Sequence, residues 1–186
     1  VAVAYCNLVG GQDELVFDGG SLVLDARGRL IAQAAQFRDD LLLVDLAPEQ
    51  LGPVRRGGTP SIRIAQPLPN RPAFPRQTRL RAARGQVRQP MAPVEEVYEA
   101  LLLGLRDYVR KNGFSAVALG LSGGVDSALT ACLAADALGP THVMGIVMPS
   151  RFSSPQTQED AKQLARALSI EAQEISIEPI FRSYLE

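Results

Sequence analysis

The chain has 186 residues, with 19 Lys and Arg against 20 Asp and Glu and a formal net charge of −1. Hydrophobic residues make up 46% and charged residues 21% of it, a composition typical of globular proteins that bury a sizeable core. No apolar run approaches the roughly 20 residues that a membrane-spanning helix needs, and no basic leader precedes the apolar N-terminus, so we expect neither a membrane segment nor a signal peptide. With two cysteines and one histidine, we expect no disulfide framework, no histidine-based catalytic triad and a cytoplasmic location.

The first 46 residues are rich in strand-forming patterns. Residues 1–9 are apolar and partly β-branched, which predicts a buried strand with Cys6 as a small core residue. Residues 21–25 and 30–35 predict two strands joined by a turn, and residues 41–46 form another short apolar run. The glycine pairs at 10–11 and 19–20 indicate loops or close backbone approaches.

The stretch between Gln50 and Val94 has no acidic residue, eight prolines and nine arginines. Because proline removes backbone donors and restricts its neighbour, neither a long helix nor a central strand is expected there. We interpret it as an extended linker, with two alternatives: a segment that contacts RNA, or one that docks on an acidic surface of another subunit. The single aromatic residue, Phe74, argues against RNA, because no stacking platform accompanies the charge. The arginines are Arg55, Arg56, Arg63, Arg71, Arg76, Arg79, Arg81, Arg84 and Arg88.

Helices and strands alternate after this stretch, which indicates parallel βαβ units in an α/β sheet. Apolar residues at three- and four-residue spacings predict the first helix, and Ser154 is the expected N-cap of the third. Only three strands precede the end of the sequence, so we expect a fragment of a larger sheet. The predicted elements are a helix over 93–112, a strand over 114–121, a helix over 126–138, a strand over 141–148, a helix over 155–168 and a strand over 171–177.

Residues 122–127, here called the SGGVDS loop, carry the clearest chemical signal. The loop lies where an apolar strand ends and a helix begins, which is where ligands of open α/β sheets bind. Two glycines let backbone N–H groups approach an anion, and the helix adds its unpaired N–H groups. A carboxylate beside phosphates is repulsive unless a divalent cation lies between them, so Asp126 indicates Mg²⁺. The alternative is a tight turn in which Asp126 or a serine caps the helix.

The SGGVDS loop resembles the SGGxDS signature of the ATP-pyrophosphatase (PP-loop) family, which includes NAD synthetases, GMP synthetases, asparagine synthetases and tRNA-thiolating enzymes. Residues 145–154 (GIVMPSRFSS), followed by Glu159, Asp160 and Ala161, resemble the NAD synthetases among them. Residues 10–21 (GGQDELVFDGGS) resemble the late part of a nitrilase-like glutaminase domain, which precedes the synthetase in glutamine-dependent NAD synthetases. The resemblance covers residues 1–46 and 93–186.

The resemblance implies an α/β protein in three parts. Residues 1–48 would end a nitrilase-like αββα glutaminase domain, and residues 49–92 would form the Pro/Arg-rich linker. Residues 93–186 would begin a Rossmann-like PP-loop domain with a parallel sheet. The full-length enzyme would form a homo-oligomer.

The implied reaction is the ATP-dependent amidation of deamido-NAD to NAD, with ammonia released from glutamine. The nicotinate carboxylate attacks the α-phosphorus of ATP, and ammonia then displaces AMP from the adenylate. Mg²⁺ would be held by Asp126, and Arg151 would reach the nucleotide. The residues implied to bind ATP are Gly120, Leu121, Ser122, Gly123, Gly124, Val125, Asp126, Ser127, Val147, Met148 and Arg151.

The sequence departs from the family in its glutaminase part. Such glutaminases use a Glu–Lys–Cys triad with an acidic residue after the cysteine, whereas Asn7 follows Cys6 and both lysines, Lys111 and Lys162, lie in predicted helices. We therefore expect the triad outside this chain and no turnover from residues 1–186 alone. Glu14 would either border the glutamine pocket or be an ordinary loop carboxylate. Cys132 is expected to pack, and His142 to have a surface or capping role.

Two other functions fit parts of the sequence. The first is a PP-loop tRNA-modifying enzyme that binds RNA through the Arg-rich segment; the block at residues 10–21 argues against it. The second is a catalytically inactive nucleotide-binding module, against which the intact SGGVDS loop argues. We expect neither nucleic acid nor membrane as a partner of the NAD synthetase.

Overall fold

The computed structural model describes residues 1–52 and 85–185, which divide into two compact units. The first comprises Val1–Asn7 and Gly19–Gln89, and the second Leu8–Asp18 and Pro90–Glu186. Most of the predicted linker lies outside the described residues, and the predicted domain boundaries remain predictions. The elements are β1 (Val3–Tyr5), β2 (Val9–Gln12), β3 (Leu15–Asp18), β4 (Leu22–Leu24), β5 (Leu30–Gln33), α1 (Pro48–Leu51), α2 (Pro93–Lys111), β6 (Val117–Gly120), α3 (Val125–Leu138), β7 (Val143–Val147), α4 (Pro155–Leu168), β8 (Glu171–Glu174) and α5 (Glu178–Leu185), with a 3₁₀ turn at Pro140–His142.

The first unit contains an antiparallel sheet in the order β1-β4-β5. The predicted strand–turn–strand over residues 21–35 is confirmed as β4 and β5, which pair from Leu22 with Gln33 to Leu24 with Leu30. The buried carboxylate of Asp25 closes the turn: it accepts the backbone N–H groups of Arg27 and Arg29 and the Nε of Arg29. These hydrogen bonds, led by the Arg29 backbone N–H, lower the pKa of Asp25.

The predicted buried strand over residues 1–9 is wrong, and so is the burial of Cys6. The strand β1 covers only three residues and lies at the edge of its sheet, and Cys6 is exposed. Asn7 ends the strand, because its backbone N–H donates to Ser21 Oγ at 2.9 Å and its side-chain amide donates to Gly19 O at 2.8 Å. These bonds replace the strand ladder. Residues 41–46 are not in a strand either.

The second unit begins with the β2–β3 hairpin, which packs on α2. The glycines at 10 and 11 lie within β2, so the close-approach interpretation is correct: a Cβ on Gly11 would lie 2.9 Å from the Cα of Gly104. The Gly11 N–H donates to Asp107 Oδ2 at 2.9 Å, and Lys111 Nζ donates to the Gly11 carbonyl. Two polar side chains of α2 therefore hold the backbone of one hairpin residue.

The rest of the second unit confirms the predicted α/β fold. Parallel strands in the order β6-β7-β8 form its sheet, and α3 and α4 connect them in sequence. Ser154 caps α4 as predicted, since its Oγ accepts the Thr157 N–H at 3.1 Å. The third strand is shorter than predicted, and all four of its residues are exposed. The buried core comprises Leu121, Ala131, Ala134, Ala135, Val143, Val147, Ala161, Ala165 and Ile170.

Alanines let α3 approach the sheet closely, because four of its five alanines are buried. Cys132, on the same helix, is partly buried. His142 is exposed and its Nδ1 lies 2.8 Å from Ser115 O, which confirms a surface role. Within the described residues, no helix has the length and apolar character that crossing a membrane requires.

Candidate functional site

The SGGVDS loop leaves the carboxyl end of β6 and leads into the first turn of α3. Its two serine hydroxyls lie 3.0 Å apart and hold the backbone in place. Ser127 Oγ donates to Gly124 O at 3.0 Å and accepts the Ser122 N–H at 3.3 Å, while Ser122 Oγ accepts the Gly124 N–H at 3.2 Å. The loop is thus stabilised by its own hydroxyls, at the positive end of a helix dipole.

Gly123 fixes the loop against α4. Its φ is +80°, in the left-handed region that favours glycine, and a Cβ there would lie 2.1 Å from Thr157 O. The backbones of the two elements therefore approach each other more closely than any side chain would permit.

Asp126 is exposed and lies in the first turn of α3. Its backbone carbonyl accepts the Thr130 hydroxyl, but within residues 1–52 and 85–185 no hydrogen bond or ion pair engages its carboxylate. The N-cap of α3 is Gly124, with no side-chain hydrogen bond to the helix start. The interpretation of Asp126 as a helix cap is therefore wrong, and its carboxylate is available to a ligand.

A cavity of about 240 Å³ opens beside the loop, at the carboxyl ends of β6 and β7. This is slightly below the roughly 300–1,000 Å³ of typical small-molecule sites. Gly120, Leu121, Ser122, Val147 and Met148, all predicted to contact ATP, line it. The other loop residues, 123–127, adjoin this cavity without lining it.

Three polar residues of the cavity wall, Ser153, Thr157 and Gln158, are missing from the predicted set. Ser153 lies at the end of the loop before α4, and Thr157 and Gln158 lie in the first turn of that helix. The N-terminus of α4 points to the same edge of the sheet as that of α3. The polar sequence SSPQTQ at residues 153–158 could have indicated these residues. In a parallel sheet, the loops that follow neighbouring strands lie at the same edge, so the start of α4 adjoins the same ligand site as the SGGVDS loop.

Arg151 lies on the loop between β7 and α4, and the structure pairs it with Glu178. Glu178 Oε1 accepts Arg151 Nε at 2.9 Å and Nη2, and the guanidinium lies 4.9 Å from the centre of the Phe181 ring. The Arg151 hydrogen bond lowers the pKa of Glu178 to about 2, and Glu178 in turn raises the pKa of Arg151. Arg151 does not line the cavity, and its contact with the nucleotide remains a prediction.

The donor set at the loop fits magnesium rather than a softer metal. Asp126 offers a carboxylate and Ser122 and Ser127 offer hydroxyls, so all the available donors are oxygens. Among the residues with described positions, no three His, Cys, Asp or Glu side chains gather to form a metal cage. Magnesium is usually held by one or two carboxylates together with phosphates and water, and Asp126 satisfies that requirement.

The parallel sheet and the SGGVDS loop define an α/β nucleotide-binding domain of the PP-loop class. Residues 97–186 match the model of the NAD synthase family. The chain is 46% identical to the glutamine-dependent NAD(+) synthetase of Aquifex aeolicus over 98% of this chain, and 44% identical to that of Thermotoga maritima over all of it. The predicted resemblance to glutamine-dependent NAD synthetases is therefore confirmed.

A solved structure agrees with this assignment. The glutamine-dependent NAD+ synthetase of Acinetobacter baumannii, solved with adenosine diphosphate, matches all of this chain with a TM-score of 0.78 and 31% identity. The chain spans about a third of the length of these relatives: 32% of the Aquifex protein, 33% of the Thermotoga protein and 30% of the Acinetobacter chain.

Proposed function

We propose that this protein takes part in the ATP-dependent amidation of deamido-NAD to NAD, with glutamine as the source of ammonia, and that the SGGVDS loop binds the ATP. The observation that carries the proposal is the loop itself: no described residue engages the Asp126 carboxylate, and both serine hydroxyls bond to the backbone of Gly124 at the start of α3. The match of residues 97–186 to the NAD synthase family model supports it, as does the ADP bound to the Acinetobacter relative.

The triphosphate would lie on the SGGVDS loop, and the adenosine in the adjoining cavity. The N–H groups of Gly123, Gly124 and Val125 are suited to phosphate oxygens, because an anion at a helix start gains from backbone donors. The Gly124 N–H would give up its bond to Ser122 Oγ. Ser122 and Ser127 would donate their hydroxyls in exchange for the bonds they make within the loop. Val147 and Met148 would contact the base at the end of β7.

The chemistry is the one that the resemblance to NAD synthetases implies. The nicotinate carboxylate attacks the α-phosphorus, the bond to the β-phosphate oxygen breaks, and pyrophosphate leaves as the adenylate forms. Ammonia then attacks the activated carbonyl, AMP leaves and NAD results. The loop donors stabilise negative charge that develops on the departing pyrophosphate, and Asp126 would hold a magnesium ion that neutralises it. Catalysis would come from positioning and charge stabilisation, without a covalent protein nucleophile.

We also propose the cytoplasm as its compartment, because the two cysteines, Cys6 and Cys132, are free thiols. Deamido-NAD and glutamine would be its other substrates, and a homo-oligomer its working form.

Isothermal titration of Mg-ATP into the chain tests the proposal. Asp126→Ala and the isosteric Asp126→Asn should each weaken binding in magnesium by roughly tenfold to a hundredfold, the size of a lost interaction with a charged group. In EDTA, both variants should bind ATP as the wild type does. Asp39→Ala, which removes an exposed carboxylate of the first unit, is the matched control. Equal affinities of wild type and both Asp126 variants in magnesium would contradict the proposal.

A further inference from the structure

Five residues join the loop after β7 to the start of α5: Arg151, Phe152, Glu178, Phe181 and Arg182. We call this cluster the loop clasp. Glu178 accepts the Arg151 backbone N–H at 3.3 Å through Oε2 and the Arg151 Nε at 2.9 Å through Oε1, and Arg182 Nε lies 3.2 Å from the same Oε1. The Phe152 and Phe181 rings meet edge to face, with centroids 5.7 Å apart.

Backbone bonds extend the attachment on the N-terminal side of α5. The Ile175 N–H donates to Val147 O at 2.9 Å, and the Ile177 N–H donates to Pro149 O at 3.3 Å. The segment 175–181 is therefore attached to the loop after β7 by backbone hydrogen bonds at Ile175 and Ile177 and by the side chains of the loop clasp.

The same loop also borders the cavity. Met148 and Ser153, near the two ends of this loop, both line the cavity, and Arg151 lies between them in sequence. Arg151 is the only cationic residue in positions 149–157, and the SGGVDS loop has none. Arg151 is thus the cationic side chain nearest in sequence to the residues of the cavity wall.

Glu178 occupies one edge of the Arg151 guanidinium. Nε and Nη2 are bonded to Glu178, whereas no described residue accepts a hydrogen bond from Nη1. Because the guanidinium is planar and presents its donors in a fixed fork, a carboxylate on one edge determines where the other edge points. The Phe181 ring, which lies against the guanidinium, also restricts the orientation of the guanidinium plane.

We infer that Glu178 is a positioning residue of the nucleotide site: it orients Arg151 so that the free edge of the guanidinium meets the nucleotide phosphates. The inference rests on the proposed function, since it takes ATP as the ligand. Glu178 itself touches no phosphate; its carboxylate acts through Arg151 alone. Its lowered pKa keeps it ionised, and the pair intact, across the neutral range.

The test is a double-mutant cycle on the full chain with two ligands, Mg-ATP and adenosine. Glu178→Gln and Arg151→Ala should each weaken Mg-ATP binding by about five- to twentyfold, and the double variant should bind no more weakly than Arg151→Ala, because the two residues act as one unit. Adenosine, which has no phosphate, should bind all variants with unchanged affinity. Glu174→Gln, which breaks the ion pair of Glu174 with Lys162, is the matched control and should change neither ligand.

The outcomes separate this inference from the proposed function. If the wild type fails to bind Mg-ATP, the proposed function fails. If it binds and Glu178→Gln binds equally well, the inference alone fails. Additive losses in the double variant, or an equal loss of adenosine affinity, would also overturn it, because either would mean that Glu178 supports the loop without orienting Arg151.

Discussion

At Gly123 the backbone adopts a φ of +80°, and the carbonyl oxygen of Thr157 fills the space where a side chain would begin. Two costs would therefore accompany any other residue: the left-handed conformation and the displacement of α4. The second cost is the functional one, because Thr157 also lines the cavity.

Gly123→Ala should destabilise the chain by more than the roughly 1–2 kcal/mol of a left-handed residue and should weaken ATP binding. The matched control is Gly113→Ala: Gly113 has a φ of +76° but no atom within 4 Å of the position that a Cβ would take, so it carries the conformational cost alone. Urea unfolding of both variants measures the difference. Equal shifts in the unfolding midpoint would show that the contact with Thr157 is unimportant.

Among the helices and strands, the docking of the β2–β3 hairpin on α2 depends on two facing glycines. Gly11 and Gly104 permit the contact, while Asp107 and Lys111 hold the Gly11 backbone from both sides. A methyl group between two backbones has nowhere to move, in contrast to one that meets a flexible side chain.

Gly11→Ala should therefore cost about 1–3 kcal/mol, the usual range for overpacking. Gln12→Ala, at the exposed next position of the same strand, should change stability little. Chemical denaturation with a far-UV circular dichroism readout compares them. A Gly11→Ala chain as stable as Gln12→Ala would mean that the hairpin does not pack on α2 in solution.

Helices α2 and α3 share a hydrogen bond that responds to alkaline pH. The Tyr98 hydroxyl donates to Asp136 Oδ2 at 2.6 Å, and this bond raises the pKa of Tyr98 from 10.0 to about 12. Below pH 10 its contribution to stability is fully present. Between pH 10 and about 12 the unfolded chain releases the proton first, so the contribution falls as the pH rises.

Tyr98→Phe should lower the free energy of unfolding by about 1 kcal/mol at neutral pH, and the gap to the wild type should close between pH 10 and 12. Tyr108→Phe, which alters an exposed tyrosine of the same helix, should show no such pH-dependent gap. Unfolding midpoints measured from pH 8 to 12 provide the comparison. A gap that stays constant with pH would rule out the linkage.

Three helices of the second unit, α2, α3 and α4, could be predicted almost to the residue from sequence, whereas α5 was not among the predicted elements. Proline begins α2 and α4, and a glycine follows the end of α2 and of α3, so local signals coincide with the apolar periodicity. The predicted α2 differs from the structure by one residue at its end, and the predicted α3 by one at its start.

Tertiary contacts decided what the sequence pattern could not. The bonds of Asn7 with Gly19 and Ser21 divide the apolar N-terminal run, which exposes Cys6. Glu178 meets Arg151 across 27 positions, and no local spacing indicates that pairing. The SGGVDS loop was recognisable because its chemistry is contained in six consecutive residues, whereas the cavity wall is assembled from two separate βα units.

For the whole molecule, we expect ATP binding without NAD formation. The reason is that this chain spans about a third of the length of its relatives. With deamido-NAD, Mg-ATP and ammonia, the chain should form no measurable NAD, while calorimetry still detects ATP. Chromatography of the reaction mixture measures the NAD that is formed. NAD formation above the level of the Asp126→Ala variant would show that these residues suffice for the chemistry.

The most direct measurement is a crystal structure of the chain grown with magnesium and a non-hydrolysable ATP analogue. We predict the triphosphate against the backbone N–H groups of Gly123 and Gly124, a magnesium ion between the phosphates and Asp126, and the base beside Met148. Nucleotide density elsewhere on the molecule, with the SGGVDS loop unligated, would contradict the account.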